Sequence, residues 1–206
     1  MGIASLSLEL QLILVPTILF ALTFHEYAHA RVAYLLGDYT SYYKNRMNLN
    51  PFNHLDPFGT FALYFLGFGW AKPVPVSIQN LQNPKKDMMM IAMAGPASNM
   101  FLAFLASIFY RLNFYFQFSE EVIFPLEIFI QINIVLAIFN LLPLNPLDGS
   151  RILPLLVKNP RTLYNIEIYG PRVLIGLIIL NLIGIPILST IILTPVSIIF
   201  YLLTGA

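Results

Sequence analysis

The chain has 206 residues, 58% hydrophobic and 10% charged, with a formal net charge of +1 and a mean hydropathy of +0.75. Soluble domains carry roughly 25% charged residues, so this chain cannot cover a water-facing surface and reads as an integral membrane protein in a lipid bilayer. No basic run suggests nucleic acid as a partner, and the lack of cysteine excludes disulfides and thiolate metal ligands.

Residues Met1–Ser5 offer no basic stretch and no small-residue cleavage site, so the first apolar segment is expected to remain as a span. Ser5 or Ser7 can cap a helix through Leu8–Phe24 to Leu36, where Gly37 can end it. Inside it lies Phe24-His25-Glu26-Tyr27-Ala28-His29. His25 and His29 are four residues apart, which sets them on one helix face, about 40° apart at 3.6 residues per turn. Two imidazoles so placed can hold one zinc ion, and Glu26 beside them can act as base toward its water, the chemistry of the HExxH pattern. Ionisable groups in an apolar segment are costly and usually functional. That favours a metal site over two histidines that only satisfy local hydrogen bonds. About 20 residues cross the hydrocarbon core, so the motif falls near the far side of the membrane.

The loop from Gly37 to Pro57 is polar and turn-rich, and His54 within it is expected to face water or cap a turn. Residues 58–69 are apolar but hold Gly59, Gly67 and Gly69 and are too short for a span, which suits a re-entrant segment. In Trp70–Val76, Pro73 and Pro75 forbid a helix and favour extended chain. Successive N–H groups of a strand point to alternate edges. The prolines blunt one edge and leave the N–H groups of Lys72, Val74 and Val76 on the other, where an extended substrate can pair by strand addition.

Further spans are expected at Met88–Tyr110, interrupted near Gly95-Pro96, and at Val122–Leu144. Val173–Ile187 and Ile185–Leu203 read as a closing helical hairpin. The whole is an all-α polytopic membrane protein of about five transmembrane helices plus the re-entrant segment. One domain uses residues 1–206, with a core over about 5–157 and the hairpin over about 165–206. Of the 11 Lys and Arg residues, all but Arg111 then fall on one side, which the positive-inside rule makes cytoplasmic. His25, Glu26, His29 and Asp148 all lie toward that side.

A catalytic zinc commonly takes three protein ligands and a water. The candidates for the third are His54, Asp148 and a few other carboxylates. Leu147-Asp148-Gly149 alone reads as an ordinary turn, but its place on the motif's side of the membrane favours Asp148. Gly95 and Pro96 read as a kink and a close-packing site. Asn99 and Asn140 are amides in apolar helices and each needs a partner; Asn140 is read toward the site and Asn99 as structural.

Five segments taken together resemble the site-2 proteases, intramembrane zinc metalloproteases. They are Phe24–His29, Asn50-Pro51-Phe52-Asn53-His54-Leu55-Asp56-Pro57, Gly69–Val76, Gly95-Pro96-Ala97-Ser98-Asn99, and Asn140-Leu141-Leu142-Pro143 leading to Leu147-Asp148-Gly149. The resemblance implies that His25, His29 and Asp148 bind one zinc ion and that Glu26 is the general base. It implies a short β-hairpin containing Trp70–Val76, and an Asn140 near bound substrate. It further implies cleavage of transmembrane protein substrates, in regulated intramembrane proteolysis, at a prokaryotic cell (inner) membrane. Unlike some relatives, the chain is expected to carry no PDZ or CBS domain and no helix before the His motif. The alternative is a metal-binding transporter or non-proteolytic scaffold. Against the first, the outer half holds few polar groups besides Asn113, Gln117 and Glu127; against the second, Glu26 is intact.

Overall fold

The computed structural model describes residues 2–205. Ser7 caps the first helix by accepting the Leu10 N–H, and Glu9 places a negative charge in the first turn, where the helix dipole favours it. Helix α1 runs Leu8–Leu35 through Pro16 and stops before Gly37, whose φ of 98° no ordinary residue adopts cheaply. Two short helices, α2 (Thr40–Tyr43) and α3 (Pro51–His54), shape the following loop. Asp56 then caps α4 (Pro57–Leu66) by accepting the Gly59 N–H, with Pro57 at its first position and Gly67 at its left-handed end. Ten residues rise about 15 Å, half of the roughly 30 Å hydrocarbon core, so α4 is too short to cross.

The remaining helices are α5 (Pro84–Phe116), α6 (Glu120–Asn140), α7 (Leu153–Leu156), α8 (Pro160–Leu182) and α9 (Ile187–Thr204). Five of them, α1, α5, α6, α8 and α9, are long and apolar enough to span a membrane, and the protein is an all-α integral membrane protein. Two differ from the sequence expectation. Helix α5 is continuous through Gly95 and Pro96 rather than interrupted. Helix α8 begins well before Val173, because Asn159 accepts the Arg161 N–H and Pro160 opens the helix. Its first turns carry Arg161, Glu167 and Arg172, which hide them from a hydropathy reading.

Helices α1, α5 and α6 pack on one another, α9 lies against α5 and α6, and α8 touches α9. Ala103 and Ala106 of α5, Ile130 and Ile134 of α6, and Leu188, Ile192 and Val196 of α9 form one core. The two alanines let the backbones approach closely, the usual device between helices in lipid.

Trp70–Val76 is extended, but it forms no β-hairpin. Among the described residues there is one isolated antiparallel bridge, Leu55 with Ala71, and no strand. Pro73 and Pro75 carry no N–H and cannot extend a ladder beyond it. The segment is held instead by side chains from the loop after α1. Fully buried Asp38 accepts the Ser77 N–H at 2.7 Å, the Asn80 amide at 2.8 Å and the Thr40 N–H at 3.1 Å. Ser41 donates to the Pro75 carbonyl and Arg46 to that of Lys72. Ala33, Leu81 and Ile91 form a small apolar cluster behind, with Val76 packed on it.

Burial pushes the Asp38 carboxyl up, but the bonds from Thr40, Asn80 and Ser77 outweigh it and hold it below the ordinary carboxylate range. Asp38→Ala would leave those donors unpaired, at a cost of about 2–4 kcal/mol, read as a lower Tm in detergent. The folded carboxyl binds its proton less tightly than the unfolded one. Its contribution is therefore full above about pH 4 and is lost as pH falls below it, so the gap between wild type and variant should close on acidification.

Candidate metal centre

Three residues of α5, one turn apart on one face, form the wall against which the α1 histidines sit: Ile91, Gly95 and Asn99. The His25 Nδ1 lies 2.7 Å from the Asn99 Oδ1, and the His29 Nδ1 lies 2.7 Å from the Ile91 carbonyl oxygen. A carbonyl oxygen only accepts, so in the neutral rings both protons sit on Nδ1 and both Nε2 lone pairs are free. Those two Nε2 atoms are 3.0 Å apart. Asp148, on the turn Asp148–Arg151 after α6, brings its Oδ2 to 3.1 Å from one and 3.2 Å from the other.

Two lone pairs and a carboxylate oxygen at such distances repel one another unless a cation or proton lies among them. Zinc bonds of about 2.0–2.1 Å at tetrahedral angles put ligand atoms roughly 3.3–3.4 Å apart. The observed spacings fall within a few tenths of an ångström of that, and the donor set of two imidazoles and a carboxylate suits zinc. Gly95 supplies the room. A Cβ there would come within 2.5 Å of the His25 Cε1 and Nε2 and would also press on the His29 Nε2. The residues therefore fit a metal ion, with Gly95 cut back to admit it rather than to kink α5.

Glu26, next on α1, is buried, and its Oε2 accepts the Val74 N–H at 2.9 Å. This alters the expectation of an open pairing edge at residues 72–76. The Lys72 N–H is also engaged, by the His54 carbonyl at 2.8 Å, while the Val76 N–H has no intramolecular acceptor among the described residues. His54 does not face water: it is 1% exposed, its Nε2 bonds the Asn48 carbonyl, and it holds the loop beside Lys72. It lies outside the three-residue cluster.

The two amides differ in what they bond. Asn99, read as structural, touches His25, whereas the Asn140 side chain donates to the Leu136 carbonyl of its own helix. A further amide, Asn133 of α6, was not singled out, yet it is fully buried and bonded to Asn99 at 2.9 Å. The available signal was the cost of an unpartnered amide in an apolar helix, which applies to Asn133 as much as to Asn140.

The model of peptidase family M50 matches residues 115–183, a stretch that holds Asp148 but not the His motif. A Bacillus subtilis (strain 168) protein described as "Putative zinc metalloprotease YwhC" is 44% identical over 156 residues, covering 73% of this chain and 71% of that one. No solved structure matches.

If Gly95 makes room for an ion, Gly95→Ala should lower bound metal by about 10–100-fold, the range for disturbing the residues that orient metal ligands. Helix content by circular dichroism should stay unchanged. Metal analysis of the purified variant checks this.

Proposed function

The chain belongs to peptidase family M50, the site-2 protease family, and from that premise we propose that it cleaves peptide bonds in or near transmembrane segments of membrane-protein substrates. The protein is a metallopeptidase by family. His25, His29 and Asp148 would hold one zinc ion, and the active site would face the cytoplasm of a prokaryotic cell from its inner membrane. The observation that carries the reading is the convergence of two free Nε2 atoms and one carboxylate oxygen to within 3.2 Å of one another, beside a buried glutamate.

Zinc, when bound, supplies Lewis acidity, which makes water a nucleophile near neutral pH and polarises the scissile carbonyl. The protein's own groups do the rest. One Glu26 oxygen is steadied by the Val74 N–H, and the other is left to accept a proton from the attacking water. As the water oxygen bonds to the carbonyl carbon and the C–N bond breaks, Glu26 returns that proton to the leaving amine. The hydrogen bonds from His25 to Asn99 and from His29 to Ile91 keep the rings aimed during these changes. A helical substrate must unwind before its carbonyl can be reached. Once extended, it would pair along the segment containing Lys72, Val74 and Val76, near Asn140. Val76 offers the free donor, the Lys72 donor would first have to leave His54, and Val74 would contribute its carbonyl oxygen while its N–H stays on Glu26.

The orientation rests on the charge asymmetry of the loops and helix ends, ten basic residues toward one side against Arg111 alone, out of 11 in all. Five spans agree with it if α4 re-enters without crossing.

Purified protein incubated with single-span model substrates should cleave them. Glu26→Gln should keep its zinc while the rate falls by about 10²–10⁴-fold or more. Residual cleavage near the normal rate would remove Glu26 from its role. His25→Ala and Asp148→Ala should each lose zinc, and His54→Ala should retain it; zinc loss confined to the His54 variant would overturn the ligand set.

A further inference from the structure

The amide chain behind His25 has a polarity that can be worked out donor by donor. It starts at the Phe129 carbonyl of α6, which accepts the Asn133 Nδ2 at 2.9 Å. A carbonyl oxygen cannot donate, so the Asn133 nitrogen must face it and the Asn133 Oδ1 must face the other way. That oxygen meets the Asn99 Nδ2 at 2.9 Å. The same Asn99 nitrogen lies 3.2 Å from the Ala21 carbonyl of α1, again an acceptor only. Both Asn99 N–H bonds are thus engaged, and its Oδ1 is left facing the His25 Nδ1. Asn99 and Asn133 are both 0% exposed, so no outside water offers an alternative partner.

The orientation matters because an amide flip costs little in shape but reverses the chemistry. With its nitrogen toward His25, Asn99 would demand a lone pair on Nδ1 and move the ring proton to Nε2. A ring with Nε2 protonated has nothing to offer a metal there. We propose that Asn133, acting through Asn99, is a positioning residue that holds His25 in the tautomer whose Nε2 is free for metal. Its own orientation is set by the Phe129 backbone carbonyl. The helix α6 backbone therefore determines which way a ligand on α1 presents itself, across α5. This rests on the metal reading of His25, and the test separates the two.

Asn133→Leu removes the acceptor for Asn99 at similar size. Asn133→Asp keeps a carbonyl oxygen at that place, whether the carboxyl is ionised or protonated. Zinc affinity is read by competition with a chelator in detergent, alongside circular dichroism. Asn133→Leu should weaken zinc by about 10–100-fold, and Asn133→Asp should restore nearly normal affinity. Equal losses in both variants, or none in Asn133→Leu, would overturn the relay. A third measurement survives misfolding of either variant. With three histidines in the chain, ¹⁵N labelling of histidine alone resolves the ring nitrogens of the metal-free wild type. The His25 Nδ1 should carry a proton, whether or not the cluster has taken up a further proton in place of the metal, and a His25 Nδ1 without a proton would overturn the relay. A wild type that binds no zinc would sink the metal reading, while the tautomer measurement would still decide the relay.

Discussion

Two imidazole lone pairs and a carboxylate oxygen, held at 3.0–3.2 Å inside an apolar helix bundle, are mutually repulsive until a cation joins them. Electrostatic repulsion is stronger where the dielectric is low, so such a cluster persists only if the surrounding structure leaves its members nowhere else to turn. Much of the fold can be read as that constraint. His25 is fixed by Asn99, His29 by the Ile91 carbonyl, and Asp148 by its place on a turn at the end of α6. Helix α5 lies between, with Gly95 where any side chain would occupy the site.

Helix α5 therefore serves three purposes on one face. Ile91 offers a backbone oxygen, Gly95 offers space, and Asn99 offers an amide, at successive turns. That spacing works only if the helix is unbroken, and α5 is unbroken through Pro96. A proline in a helix forfeits one hydrogen bond and usually bends it. Here Pro96 is fully buried in the bundle, and packing against α1 and α6 keeps the helix running.

The extended segment after α4 is tied on both sides. Asp38, Ser41 and Arg46 hold it from the loop after α1, while its Val74 N–H reaches Glu26. The proposed base is thereby linked to a buried carboxylate near the end of its own helix through a few residues of proline-rich chain. Proline suits this work because it stiffens the chain and offers no N–H that would need a partner. The same bonds keep the segment from presenting a free edge along its length.

The sequence alone determined the class of protein, the approximate spans and the HExxH face of α1. Each of these depends on a short window of chain: transfer cost over about 20 residues, and a helical repeat of 3.6. The charge asymmetry of the loops was equally legible, since it needs only counting. Other features were decided by tertiary structure. Asn99, Asn133 and Asn140 look alike in sequence, each an amide in an apolar helix, and only the packing of α1, α5 and α6 shows which of them faces His25. The convergence of Asp148 on residues more than a hundred positions earlier depends on where the end of α6 comes to rest. The expected hairpin gave way to a pinned extended chain, because the acceptors for Lys72 and Val74 lie on His54 and Glu26 and not on a neighbouring strand. Local chemistry says that a buried donor must have a partner; only the folded chain says which one is within reach.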